Sequence, residues 1–114
     1  MHCGLAVPSI VLAGLLHAAD ATAAEPGVRI MAPIDGAKLD AMAQATLVYE
    51  VVPAAGGDHV HVYVDGKEVG ILRKLEGQYT LETLRAGQRE ICIKVVNKAH
   101  APTGLQQCVK VTVE

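Results

Sequence analysis

Two histidines stand two residues apart in the segment Asp58-His59-Val60-His61-Val62-Tyr63-Val64, and a third, His100, lies further along the chain. Imidazole nitrogen is a good donor for Zn(II), Cu(II) and Ni(II), whereas Ca(II) and Mg(II) ask for oxygen. In an extended strand alternate side chains share a face, so His59, His61 and Tyr63 point one way and Val60, Val62 and Val64 the other. Residues at i and i+2 then stand roughly 6–7 Å apart at Cβ, close enough for both imidazoles to reach one ion above the strand. Asp58 offers either an oxygen ligand or a carboxylate that orients a neighbouring imidazole. An ion held here is expected to be Cu(II) or Zn(II). Met31 and Met42 are not brought near the histidines by any sequence pattern, so a methionine-type Cu(I) site is not expected. The competing reading is three solvated surface histidines on the outer face that share no ligand.

The cysteines and the first residues bear on where such a site would work. Leu5–Leu16 is an apolar run broken only by small residues and Pro8. It is too short to cross a bilayer permanently. It matches the central part of a secretory signal, and the small residues Ala18, Ala19, Ala21, Thr22, Ala23 and Ala24 follow it. Residues 1–24 are therefore expected to be a cleaved, helical signal peptide, cut after Ala23 or Ala24, although Met1-His2-Cys3-Gly4 lacks the usual Lys or Arg. Residues 25–114 form the expected single domain, periplasmic or secreted. It retains Cys92 and Cys108, which read as a disulfide in an oxidising compartment. Two free thiols or metal-binding thiolates are the alternatives.

Within 25–114, period-two alternation recurs between turn signals, and no segment carries a helical period. Strands are expected at 28–32, 44–52, 59–64, 67–72, 78–84, 89–96 and 105–113. Asp65-Gly66 supplies a two-residue hairpin turn, since both residues tolerate positive φ. Seven short strands with evenly spaced turns predict an all-β, immunoglobulin-like sandwich. The tight hairpin puts the fourth strand beside the third. That favours a fibronectin type III arrangement, with the first, second and fifth strands in one sheet and the other four in the second.

The last two strands admit a register. Ile91, Ile93 and Val95 face the core, as do Val109, Val111 and Val113. Cys92 and Cys108 then lie on the outer face of one sheet, and pairing them directly centres the turn on His100, within a loop expected at 97–104. In this topology that loop and the one before His59 share an end of the sandwich. His59, His61, His100 and Asp58 are thereby expected to converge on one corner.

Composition excludes several classes of function. The chain carries 10 basic and 12 acidic residues, with no basic run. Nucleic acid, which needs a cationic face, is not an expected partner, and neither is a membrane once the signal is removed. The lone serine, Ser9, falls in the leader, and no phosphate-binding loop is present. Catalysis is not expected. With no Trp or Phe and three Tyr, the chain has few aromatic anchors for a protein or glycan partner. A non-enzymatic protein- or glycan-interaction module of the cell envelope is nevertheless the alternative to metal binding.

Three stretches carry a resemblance: Ala32-Pro33-Ile34-Asp35-Gly36-Ala37, the hairpin from His59 to Lys67, and Gly77-Gln78-Tyr79-Thr80-Leu81 leading to Ala86-Gly87-Gln88. Together they resemble bacterial immunoglobulin-like, fibronectin type III-like domains of exported proteins, over most of 28–113. The resemblance implies a fold and a binding, spacer or adhesion role. The paired histidines are not part of it.

Overall fold

A computed structural model describes residues 25–114. The expected signal helix, its cleavage point and the division at residue 24 lie outside the described residues.

Eight strands follow one another: β1 Gly27–Ala32, β2 Lys38–Leu39, β3 Ala45–Val52, β4 His59–Val64, β5 Lys67–Leu72, β6 Glu76–Leu81, β7 Gly87–Val96 and β8 Pro102–Val113. They build two sheets, β1-β3-β6 and β2-β8-β7-β4-β5. Apart from the two-residue β2, which runs parallel to the end of β8, this is the fibronectin type III-like arrangement expected from the alternation. The alternation also fills the core. Val28, Leu47, Tyr49, Val51 and Leu81 from the three-stranded sheet meet Val60, Val62, Ile91, Ile93, Val95, Val109, Val111 and Val113 from the other. Such a core of β-branched aliphatics suits strands, because a branched Cβ packs well on a pleated surface.

Strand β4 is flanked on both sides. It pairs with β7 through His59↔Val96, His61↔Lys94 and Tyr63↔Cys92. On its other side it pairs with β5 through a turn in which Asp65 and Gly66 both take positive φ, 51° and 83°. Tyr63 faces Glu68, and a bulge at Val69 then advances the register, so that His61 faces Ile71. The bulge keeps Glu68 and Ile71 on the face that carries the histidines.

Strands β7 and β8 pair with Cys92 opposite Cys108. The two sulfurs are bonded. Beyond Lys94↔Gln106 the register slips, and Val96 pairs with Pro102. Strand β8 therefore starts three residues before the expected Leu105, and the connecting loop shrinks to 97–101. Thr103 stabilises the added strand by donating its hydroxyl to the Val95 carbonyl at 3.1 Å. Pro102-Thr103-Gly104 has the composition of a turn but continues the ladder.

The disulfide closes a loop with a sequence separation of 16 across the hairpin that ends in His100. A cross-link of that size contributes about 3 kcal/mol by restricting the unfolded chain. The double variant Cys92→Ala/Cys108→Ala is expected to lose about that much stability in urea titrations.

Candidate metal centre

The site is assembled from two pieces of chain. His59 and His61 open β4 on one face, and Asp58 immediately precedes them, its amide donating to the Val96 carbonyl at 2.8 Å. His100 sits in the β7–β8 loop at φ 65°, a conformation uncommon for a residue with a side chain. Asn97 holds that loop. Its Oδ1 accepts from the amides of Ala99 (2.8 Å) and Ala101 (3.0 Å), while its carbonyl accepts from the His100 amide (2.9 Å). One asparagine thus fixes the backbone on both sides of the third imidazole, as an Asx turn does.

The three rings meet at nitrogen. Nε2 of His59 lies 3.1 Å from Nε2 of His61 and 3.3 Å from Nδ1 of His100, and the latter two atoms are 3.0 Å apart. Among the described residues, these three form a group whose ligand atoms could hold a metal ion. Behind the ligand atoms stand carboxylates. The Nδ1 of His59 is 2.9 Å from Oδ2 of Asp58. The Nδ1 of His61 is 3.2 Å from Oε1 of Glu68, but the alignment is too poor for a hydrogen bond, so this buried nitrogen has an electrostatic neighbour and no hydrogen-bond partner. Arg73 approaches Asp58 at 3.7 Å. Lys94 places its ammonium 4.4 Å from the Tyr63 ring centroid, on the same face.

Contrary to the expectation of a solvated outer face, His59 is only 1% exposed and His61 3%. At this corner the face is closed by its neighbours. Val96, opposite His59, is fully buried, Pro102 pairs with Val96, and the His100 ring stacks edge-on to His59 with centroids 4.6 Å apart. Three surface imidazoles with nothing in common therefore do not describe this corner.

The proton count limits how the three rings can satisfy one another. A neutral imidazole has one N–H and one lone pair. If Nδ1 of His59 and Nδ1 of His61 each carry the proton, as their carboxylates favour, both Nε2 atoms turn lone pairs inward. His100 can supply one proton at most, so two or three lone pairs face each other across about 3 Å. A cation at the centre would resolve the conflict. Burial holds the His61 imidazole below its ordinary range; Glu68 opposes this, and His59 and His100 push it down further. His61 is thus neutral near pH 7, the state a metal ligand needs.

The structure brings together His59, His61 and His100, with Asp58 behind His59 as an orienting carboxylate and not as a donor to the central point. A second group, Glu90 with Cys92 and Cys108, is closed to metal because its sulfurs are bonded to each other. Three residues escaped the sequence reading. Glu68 was within reach of it, since the Asp65-Gly66 hairpin puts it opposite Tyr63. Asn97 carried the signal of a turn-initiating residue. Gly57 carried none: a Cβ there would lie 2.9 Å from Val95 Cγ1 and 3.0 Å from Pro53 Cβ, so only glycine lets the chain pass this close before Asp58.

Fold and site together define a fibronectin type III-like β-sandwich bearing an imidazole triad at one loop end. Among solved structures, the fibronectin(III)-like modules of Clostridium thermocellum CbhA are similar, with a TM-score of 0.64, 20% identity, and coverage of 76% of this chain and 96% of that one. A lytic polysaccharide monooxygenase from Jonesia denitrificans is more loosely similar, with a TM-score of 0.48, 14% identity, and coverage of 72% and 60%. No protein-family model and no curated protein sequence matches the chain.

Because the folded chain depresses the His61 pKa, the unfolded chain takes up a proton first as pH falls below about 6.5. The metal-free protein is expected to lose stability from there until the folded-state pKa is passed. His61→Gln should show a shallower loss in melting temperature over the same interval. Loosening the loop is a separate test: Asn97→Ala, which removes two exposed hydrogen bonds, should cost about 1–2 kcal/mol, lower the metal-free melting temperature by about 4–16 °C, and raise amide exchange at 98–101.

Proposed function

We propose that this chain is a small, non-enzymatic metal-binding protein of an oxidising, extracytoplasmic compartment. It takes one Cu(II) or Zn(II) ion on His59, His61 and His100. The observation that carries the reading is the mutual approach of three imidazole nitrogens to 3.0–3.3 Å, with two of the rings buried. Burying polar rings so that lone pairs converge is costly unless something positive joins them. The carboxylates of Asp58 and Glu68 supply the outer contacts usual behind metal-bound histidine, where they fix the tautomer and raise ligand basicity. The disulfide agrees with an exported location, since such bonds persist in oxidising compartments.

A second reading, an envelope interaction module without metal, draws on the free edge of the larger sheet. There β5 leaves Val69 and Ile71 45% and 46% exposed. It would show itself as a stable protein or glycan partner that stays bound in chelator.

Titration calorimetry should find one Cu(II) or Zn(II) per chain with Kd at or below about 1 µM, the affinity scale at which about 8 kcal/mol is released. His59→Ala/His61→Ala should abolish the uptake, and Asp58→Ala should weaken it by about 10–100-fold. Wild-type protein with no uptake at about 10 µM metal would remove the reading.

A further inference from the structure

The three donor atoms form a nearly equilateral triangle, and that shape says more than the ligand types do. With metal–nitrogen bonds of about 2.0–2.1 Å, separations of 3.0–3.3 Å subtend roughly 90–110° at a common ion. Three corners of a square plane would instead include one opposed pair about 4 Å apart, twice the bond length. No pair here is that long. An ion bonded to all three nitrogens would sit at the apex of a low pyramid over them.

Among the described residues, no fourth histidine, cysteine, aspartate or glutamate brings a ligand atom into the group. The two nearest carboxylates are engaged behind the rings, Asp58 at Nδ1 of His59 and Glu68 beside Nδ1 of His61. His100 is exposed, so the corner reaches solvent through the loop that carries it.

We infer that the triad is an open, four-coordinate Zn(II)-type site whose fourth position takes a small monodentate ligand from solution, water or an anion. This rests on the metal-binding reading and goes beyond it in naming a coordination geometry and a second ligand. Zn(II) has no geometric preference of its own and accepts a pyramidal three-nitrogen face, whereas Cu(II) prefers the tetragonal plane that this face denies it. The general order of affinities favours Cu(II). The geometry works against that order and narrows the gap between the two ions.

Cobalt(II) reports both features, since it substitutes for Zn(II) and its colour depends on coordination number. The intact disulfide-bonded protein is titrated with Co(II), and azide is then added. The expected result is uptake of one Co(II) with the intense visible bands of a four-coordinate ion, followed by a saturable spectral shift on azide. His100→Ala should lose the intense bands. Faint bands of a six-coordinate ion would overturn the inference while leaving the metal site standing, and so would intense bands indifferent to azide. Failure to take up Co(II), Zn(II) and Cu(II) alike, with wild type and His59→Ala/His61→Ala indistinguishable, would overturn the metal-binding reading itself; uptake of Cu(II) alone would overturn only the Zn(II)-type geometry.

Discussion

Strand β4 divides its side chains between two environments, and the rest of the molecule is arranged around that division. Val60 and Val62 enter the aliphatic core, while His59 and His61 enter a second, smaller enclosure on the opposite face. Because the strand is hydrogen-bonded on both sides, it cannot rotate to relieve either set. A slip of one residue against β7 would send imidazoles into the core and valines out, so the hydrophobic burial that stabilises the sandwich also fixes where the rings point. The geometry of the site is in this sense a by-product of the strongest force in the fold.

The electrostatic surroundings follow from the same pairing. His61 is opposite Lys94 and close to Glu68, and His59 is preceded by an aspartate that Arg73 approaches in turn. Each ring meets its carboxylate on the side away from the triangle. That placement keeps negative charge close enough to orient the rings, yet out of the ligand positions. The cystine acts one step further back. It joins β7 to β8 below the loop, so that the loop carrying His100 rises from a hairpin whose strands cannot part.

Much of this was legible in the residues. The bounds of β4 and β5 follow from alternation and from Asp65-Gly66, and the opposition of Cys92 and Cys108 follows from aligning two runs of core valines and isoleucines. The convergence of His100 on the pair was read from that alignment together with the topology. The closure of the outer face was not, since alternation assigns a residue to a face but does not say whether another loop will cover that face. Val96 illustrates the gap: it points away from the core and is still fully buried. The start of β8 was misplaced because Pro, Thr and Gly are turn-forming residues by composition, and here cross-strand pairing overrides that tendency. The bulge at Val69 has no local signature, and it decides which β5 residues flank the histidines.

The separation of the ligands along the chain has a last consequence. His59 and His61 are neighbours in any extended segment, but His100 is 39 residues beyond His61 and joins them only when β4 and β7 lie side by side. A polypeptide that has not yet folded offers an ion two nitrogens and no enclosure. On the proposed metal-binding reading, loading would wait until the sandwich has formed, and a captured ion would tie the two loops together and oppose unfolding. The distance along the chain between the three imidazoles would then set the order in which fold and ion are acquired.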